Sequence, residues 1–159
     1  MAKNLVAYFS ASGITAKVAR NLAEVVKGDL YEIRPVEPYT DKDLNWMDQN
    51  ARTTVEMKDK SFRPPMVKDD PHLEKYDTIF LGFPIWWYVA PTIVNTFLET
   101  YDFSNKRIVV FATSGGSNLG GTIENLKPSV DKSVEFVQGK VLNHNPSKEV
   151  LKEWVASIK

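Results

Sequence analysis

Short apolar runs separated by segments of helical periodicity constrain the fold of this chain more than any other feature. Three runs, at residues 5–9, 78–81 and 108–112, are almost continuously apolar, which is typical of strands buried on both faces. Two more, at residues 30–33 and 134–137, mix polar and apolar side chains and suit edge strands. The alternation predicts a parallel sheet with helices on both of its faces.

Amphipathic segments lie between or after these strands. The first is predicted to end at Gly28 and to bury one apolar stripe, which consists of Ile14, Val18, Leu22, Val25 and Val26. The second begins near Pro91, the third ends before Pro128, and the last begins at Asn145-Pro146. Five strands with interleaved helices predict a doubly wound α/β sandwich.

The size and composition of the chain favour one domain over residues 1–159. Of its 159 residues, 43% are hydrophobic, which is enough for one sizeable core. The 20 basic and 20 acidic residues balance without a basic stripe, which argues against nucleic acid or an anionic membrane as a partner. Cysteine is absent, so disulfides and thiolate sites are excluded. The longest apolar stretch, residues 79–91, is too short to span a bilayer, and we expect a cytoplasmic location.

Residues 35–71 form a crossover longer than two neighbouring strands ordinarily need. Apolar residues at helical spacing predict one helix in the first half, with Leu44, Met47, Ala51 and Val55 on its stripe. The second half is polar and rich in proline. We interpret the segment, called the arm below, as a crossover helix followed by a surface excursion. A lid over a ligand or a dimer contact is the alternative.

The turn after the first predicted strand has the chemistry of a phosphate site. Ser10, Ser12 and Thr15 offer hydroxyl donors, and Gly13 lets the backbone close on an anion. The helix that starts at Ile14 presents unpaired N–H groups and the positive end of its dipole. No carboxylate occurs in this turn or in the first helical turns. A serine- or threonine-capped helix without a ligand is the alternative reading.

The other two central strands end in equally unusual loops. Residues 82–91 place Trp86 and Trp87 side by side between two prolines, which makes a stiff wall for a planar ring. Residues 113–121 hold glycines and hydroxyls without a charge, so their N–H groups can approach a heteroaromatic edge. Ligands of open α/β sheets bind beyond the carboxyl ends of the strands. The three loops together therefore predict a phosphorylated planar cofactor.

With these loops the chain resembles the flavodoxin-like family, which binds FMN. The sequence Ser10-x-Ser12-Gly13-x-Thr15 is similar to the family's phosphate loop. Residues 84–87 and 113–117 look like the matching loops of its NAD(P)H-dependent flavoprotein branch. The resemblance implies a flavodoxin-like three-layer α/β sandwich with a five-stranded parallel sheet in the order 2-1-3-4-5. FMN would carry the chemistry, so neither a catalytic side chain nor a metal ligand is predicted.

The same resemblance assigns the cofactor contacts. It implies that the FMN phosphate is held by Ser10, Ser12, Gly13, Ile14 and Thr15. It implies that the isoalloxazine is surrounded by Pro84, Ile85, Trp86, Trp87, Tyr88, Thr113, Ser114, Gly115, Gly116 and Ser117.

Other groups of reactive side chains do not predict a further functional site. His72 and His144, the 2 histidines of the chain, lie far apart in sequence, which disfavours a histidine metal site or triad. Arg52 or Arg63 would meet a nicotinamide phosphate if the arm folded over the pocket, although surface arginines are the simpler interpretation. Tyr8 lies within a strand and is predicted to be core.

Two departures from the electron-carrier flavodoxins favour an enzyme. Those carriers are usually strongly acidic, whereas this chain has no net charge. They also often carry a glycine in the loop beside flavin N5, and residues 83–90 contain none. We therefore expect an NAD(P)H-dependent oxidoreductase that acts on a small acceptor such as a quinone. An electron carrier between partner proteins and a non-catalytic regulatory module are the alternatives, and a homodimer is compatible with each.

Overall fold

A parallel sheet forms the centre of the molecule. The computed structural model describes residues 4–10, 13–37, 39–40, 42–44, 47–48, 50–59, 62–85, 90–113, 122–142 and 146–158. The strands are β1 (Asn4–Tyr8), β2 (Asp29–Glu32), β3 (Thr78–Pro84), β4 (Arg107–Thr113) and β5 (Glu135–Val141). Every pairing is parallel, and the order is β2-β1-β3-β4-β5. The predicted strand order is confirmed.

Helices follow the strands on both sides of this sheet. They are α1 (Ile14–Val26), α2 (Arg52–Lys58), α3 (Thr92–Thr100), α4 (Thr122–Leu126) and α5 (Lys148–Ser157). Short 3₁₀ turns occupy Leu73–Lys75 and Lys127–Ser129. Within the described ranges no helix is both long and apolar enough to cross a bilayer.

Side chains alternate along the central strands and supply two separate cores, one on each face of the sheet. One core joins Leu81 and other inward residues of β3 and β4 to Phe97 of α3. The other joins Phe80 and Phe111 to Leu22 of α1 and Trp154 of α5. The result is the predicted three-layer sandwich, with α3 and α4 on one face and α1 and α5 on the other.

The outer strands differ from the central ones as their sequences predict. Strands β1, β3 and β4 are buried along almost their whole length, whereas β2 is mostly exposed. Strand β5 spans Glu135–Val141 and is longer than the mixed run at residues 134–137 from which it was predicted. The pairing of β4 with β5 shifts register between Val109 and Phe111. Gly139 lies in β5 near this shift, and a Cβ there would lie 1.7 Å from the Val110 carbonyl oxygen, so only glycine fits.

Helix α1 buries the middle of its predicted stripe but not its first residue. Val18 and Leu22 are buried, whereas Val25 and Val26 are only partly buried. Ile14 is 60% exposed, so its placement in the core stripe is wrong. The physical reason is position. Helix α1 starts beyond the carboxyl edge of the sheet, so Ile14, its first residue, has no sheet face to pack on.

The arm contains a helix, but the predicted stripe does not bury it. Met47 and Val55 are 73% and 54% exposed, and the helix itself spans only Arg52–Lys58. Its buried residues are Thr53, Thr54 and Glu56. Thr53 donates its hydroxyl proton to the Asp43 carbonyl at 2.7 Å. Thr53 and Glu56 have local hydrogen-bond partners that hold α2, so apolar periodicity did not predict how this helix is packed.

The second half of the arm is fastened to its own chain at two places. Met66 forms an antiparallel bridge with Pro35, just after β2. Arg63 donates Nε and Nη2 to the Glu99 carboxylate of α3, at 3.0 and 2.9 Å. Ser129 donates its hydroxyl proton to the same carboxylate at 2.7 Å. These contacts connect the arm, α3 and the turn after α4.

Replacing Gly82 with alanine is expected to destabilise the fold. Gly82 pairs with Phe111 in the register of β3 with β4. A Cβ at Gly82 would lie 2.1 Å from Cζ of the fully buried Phe111 ring. Such overpacking typically costs about 1–3 kcal/mol of the free energy of unfolding, which urea denaturation would measure. Phe111→Leu should cost less in the Gly82→Ala background than in the wild type. Equal costs in both backgrounds would contradict the contact.

Glu99→Gln is expected to lower stability at neutral pH by less than about 1 kcal/mol, because the carboxylate is partly exposed. Hydrogen bonds from Arg63 and Ser129 hold the pKa of Glu99 below its ordinary value of 4.5. A depressed folded-state pKa stabilises the fold above the unfolded-state value, and that stabilisation is lost as pH falls through the folded-state pKa. The difference between variant and wild type should therefore vanish in acid.

Urea unfolding at several pH values measures this difference. Glu124→Gln is the matched control, because Glu124 forms an exposed ion pair with Lys127 at 3.2 Å. The control should change stability less at neutral pH. A Glu99→Gln effect of constant size from neutral pH into acid would contradict the assignment.

Candidate cofactor-binding site

The register of the central strands brings the ends of three strands to one level. Tyr8 of β1 pairs with Gly82 of β3, and Pro84 of β3 pairs with Thr113 of β4. Ser10 follows Tyr8 by two residues, as Pro84 follows Gly82. The three predicted site loops therefore start side by side at the carboxyl edge of the sheet. This is the edge at which open α/β sheets bind ligands.

The first loop forms an open helix N-terminus. Ser10 accepts a hydrogen bond on Oγ from the Gly13 N–H at 3.0 Å, which closes the turn. Gly13 lies at the N-cap of α1 with φ of 92°, a left-handed conformation that favours glycine. It supplies no capping side chain, and the first turn of α1 carries no acidic residue. The N–H groups of this turn can therefore face an anion.

A buried hydroxyl pair connects the first loop with the third. Thr15 and Thr113 are 2% and 4% exposed. Their Oγ1 atoms lie 2.7 Å apart, at hydrogen-bonding distance. The two residues are 98 positions apart in the chain. Thr15 thus places its hydroxyl on the start of the third loop, at the base of the predicted phosphate site.

Thr113 also connects the second loop to this point. Its carbonyl oxygen accepts a hydrogen bond from the Ile85 N–H at 2.9 Å. Ile85 is nearly buried and follows Pro84, the last residue of β3. The starts of all three loops therefore meet around one residue of β4, and the structure brings together Ser10, Gly13, Thr15, Pro84, Ile85 and Thr113.

The remaining predicted contact residues divide into two groups. Ile14 lies at the first position of α1 with its side chain exposed, so it can contribute its backbone N–H rather than packing. The others lie outside the described residues: Ser12, Trp86, Trp87, Tyr88, Ser114, Gly115, Gly116 and Ser117.

Sequence reasoning missed a charged cavity beside the first loop. The cavity measures about 370 Å³, and its lining includes Ser10, Glu32, Arg34 and Tyr39. Strand β2 runs next to β1 and ends at Glu32, which brings a carboxylate to a turn that its own sequence leaves free of acids. Arg34 forms an ion pair with Asp69 at 3.3 Å. The pairing of β1 with β2 was the signal that would have placed these charges.

Tyr39 belongs to the arm and closes one side of this cavity. Its ring packs edge-on against Phe9, with ring centroids 5.7 Å apart. Its hydroxyl donates to the Glu56 carboxylate, and the Arg52 guanidinium lies 3.9 Å from the ring centroid. Burial and the hydrogen bond to Glu56 raise the pKa of Tyr39 above its ordinary range. Tyr39 is therefore a fixed, neutral wall of the cavity at physiological pH.

The arginines of the arm are held by carboxylates of the chain. Arg52 donates Nε to Glu56 at 2.8 Å and Nη1 to the Glu37 carbonyl at 2.7 Å. Arg63 makes the two-point contact with Glu99 described above. Both side chains are partly buried and already paired, so a nicotinamide phosphate would have to compete with these contacts.

A buried hydroxyl lies directly after the second loop. Thr92, the first residue of α3, is 4% exposed, and its Oγ1 makes no hydrogen bond. A buried hydroxyl without a partner is costly, and a ligand group can remove that cost. Tyr8, by contrast, is buried in the core formed with α1 and α5, as predicted.

Other features of the described residues lie away from these loops. A groove of about 700 Å³ lies between α4 and β5, with Ile123, Lys127 and Phe136 among its lining residues. Its lining includes none of the three strand ends, so cavity size alone does not mark the site. Among the described residues, no three histidine or acidic side chains cluster closely enough to hold a metal ion.

Solved structures similar to this chain share its whole fold. A provisionally assigned flavoprotein from Bacteroides uniformis is 44% identical, with a TM-score of 0.92 over 98% of this chain and 99% of its own. One from Bacteroides eggerthii, also provisionally assigned, is 41% identical, with a TM-score of 0.92 over 99% and 98%. A flavoprotein from Lactobacillus acidophilus, solved in complex with FMN, is 22% identical, with a TM-score of 0.67 over 86% and 91%.

A curated relative resembles part of the chain more distantly. It is the NAD(P)H dehydrogenase [quinone] 1 of Rattus norvegicus, 26% identical over 142 residues. The match covers 75% of this chain and 52% of the rat protein, so the chain spans about half the length of that relative. The flavodoxin family model matches residues 3–158, nearly the full sequence. The chain therefore belongs to the flavodoxin family.

Proposed function

We propose that this chain is an FMN-binding redox protein, formed as one domain over residues 1–159. The observation that carries the proposal is the meeting of three strand ends around Thr113, at the carboxyl edge of a sheet with flavodoxin order. Membership of the flavodoxin family and the similar Lactobacillus protein in complex with FMN support this cofactor. The unpaired Thr92 hydroxyl and the acid-free first turn of α1 suit its polar ring edge and its phosphate.

The residues of the chain would bind and orient the cofactor. In this proposal the phosphate lies at residues 10–15, where helix N–H groups and hydroxyls donate to it. The ring lies between residues 84–88 and 113–117, and at least one of Trp86, Trp87 and Tyr88 stacks on it. Bound FMN supplies electron or hydride transfer, and the apolar wall excludes water from the ring.

We further propose an oxidoreductase that takes electrons from NAD(P)H and passes them to a small acceptor such as a quinone. The similarity to the rat quinone dehydrogenase supports this reading. The lack of net charge also supports it, since a carrier between proteins gains from a charged docking face. The glycine-free loop 83–90 disfavours the peptide flip that carriers use beside the ring. An electron carrier is the second candidate, because family membership alone is compatible with it.

Ser12→Ala and Thr15→Ala should each weaken FMN binding much more than riboflavin binding. Loss of a hydrogen bond to a charged phosphate costs about 1.5–3 kcal/mol, roughly a ten- to hundred-fold higher Kd. Fluorescence titration of the apoprotein with both ligands measures the ratio. Thr53→Val is the matched control, since it removes a buried threonine hydroxyl from the arm helix. If both ligands weaken equally, the phosphate lies elsewhere.

Anaerobic addition of NADPH or NADH should bleach the FMN-loaded protein, and a quinone should restore its colour. The expectation follows from a ring walled by aromatic residues and from the absence of net charge on the chain. Absorbance spectroscopy follows both half-reactions, and a chemical reductant serves as the control for a reducible cofactor. Bleaching by the chemical reductant but not by either nicotinamide would favour the carrier. A protein that stays colourless after incubation with FMN would favour a regulatory module.

A further inference from the structure

The buried hydroxyl pair beneath the first loop has an unassigned direction. Thr15 Oγ1 and Thr113 Oγ1 lie 2.7 Å apart, and either hydroxyl could donate. Each threonine has one hydroxyl proton and two lone pairs. A hydroxyl that donates its proton to its neighbour therefore has only lone pairs left to interact with a third group.

A phosphate bound at the first loop would fix this direction. A phosphate dianion carries no proton and can only accept hydrogen bonds. Thr15 can serve it only as a donor, and then its oxygen must accept the proton of Thr113. The reverse direction would turn lone pairs of Thr15 toward a dianion, which is repulsive. The ligand thus selects one of two arrangements of the same pair.

The sheet holds Thr113 in place for this role. Thr113 is the last residue of β4 and pairs with Pro84 of β3. Its carbonyl accepts the Ile85 N–H at 2.9 Å, and its side chain is buried. The backbone that carries the donor is therefore set by β-sheet pairing, whereas Thr15 belongs to the turn that receives the ligand.

We propose that Thr113, which the resemblance counts among the ring contacts, is instead a positioning residue for the phosphate, and that its buried side chain acts through Thr15 rather than by touching the cofactor. The Thr113 hydroxyl donates to Thr15 Oγ1 and so directs the Thr15 proton to the phosphate. The inference rests on the proposed phosphate site at residues 10–15. It also makes the end of β4, where the third loop starts, sensitive to whether the phosphate is bound.

The test compares FMN with riboflavin, which lacks the phosphate, in Thr113→Val, an isosteric change that removes the hydroxyl. FMN binding should weaken roughly three- to tenfold, as expected for one lost hydrogen bond, and riboflavin binding should stay within about twofold. Thr113→Ser should restore the wild-type FMN affinity. In a Thr15→Ala background, Thr113→Val should have no further effect, since the acceptor is gone.

Three results would overturn the inference: equal weakening of both ligands, an unchanged FMN affinity, or additive effects of the two substitutions. Thr53→Val is the control for the loss of any buried threonine hydroxyl and should leave the ratio of the two affinities unchanged. The two proposals fail differently. If Thr15→Ala does not discriminate between FMN and riboflavin, the phosphate site itself is wrong. If it does and Thr113→Val does not, only the role of Thr113 is wrong.

A second measurement covers the case in which Thr113→Val does not fold. Wild-type protein with ¹³C-labelled threonine methyl groups is titrated with inorganic phosphate alone. The methyl signals of Thr15 and Thr113 should shift with one common Kd, while Thr78, at the opposite end of β3, stays unchanged. A shift of Thr15 without Thr113 would overturn the inference. If neither responds, Thr15 does not meet phosphate and both proposals fail.

Discussion

Parallel pairing of β1, β3 and β4 is the constraint on which the rest of the structure depends. Parallel strands all end at the same edge, so the loops that follow them meet even when they are distant in sequence. Here the register pairs Tyr8 with Gly82 and Pro84 with Thr113, and the first loop starts just after Tyr8. A hydroxyl pair and a backbone hydrogen bond then fasten the three loops around Thr113. The position of the candidate site is therefore set by the pairing of the strands rather than by any one loop.

The sequence predicted the parts of the fold that depend on burial alone. Central strands with almost no polar residue have one stable position, in the middle of a covered sheet. The arm was different, because α2 buries Thr53, Thr54 and Glu56 while Met47 and Val55 are exposed. The hydrogen bonds that Thr53 donates and Glu56 accepts leave no periodic signal in the sequence. Apolar spacing could not reveal them.

The candidate site was predictable in its location but not in its connections. The hydroxyl turn and the register of the strands place Ser10, Gly13 and Thr15 where sequence reasoning expected them. The contact of Thr15 with Thr113 spans 98 positions and depends on the exact level at which β4 ends. Glu32 reaches the same region only through the pairing of β2 with β1. Such contacts follow from tertiary geometry, which local patterns do not contain.

The bridge between Pro35 and Met66 has a consequence for strand pairing between molecules. The strand at the end of an open sheet offers unpaired N–H and C=O groups to other chains. Just beyond β2, the returning arm takes up these groups, with Val36 N–H donating to the Pro65 carbonyl and Val67 N–H to the Arg34 carbonyl. Proline on each side of the bridge removes further donors. The arm therefore blocks strand addition by a neighbouring molecule just beyond β2, at the end of the sheet where the candidate site lies.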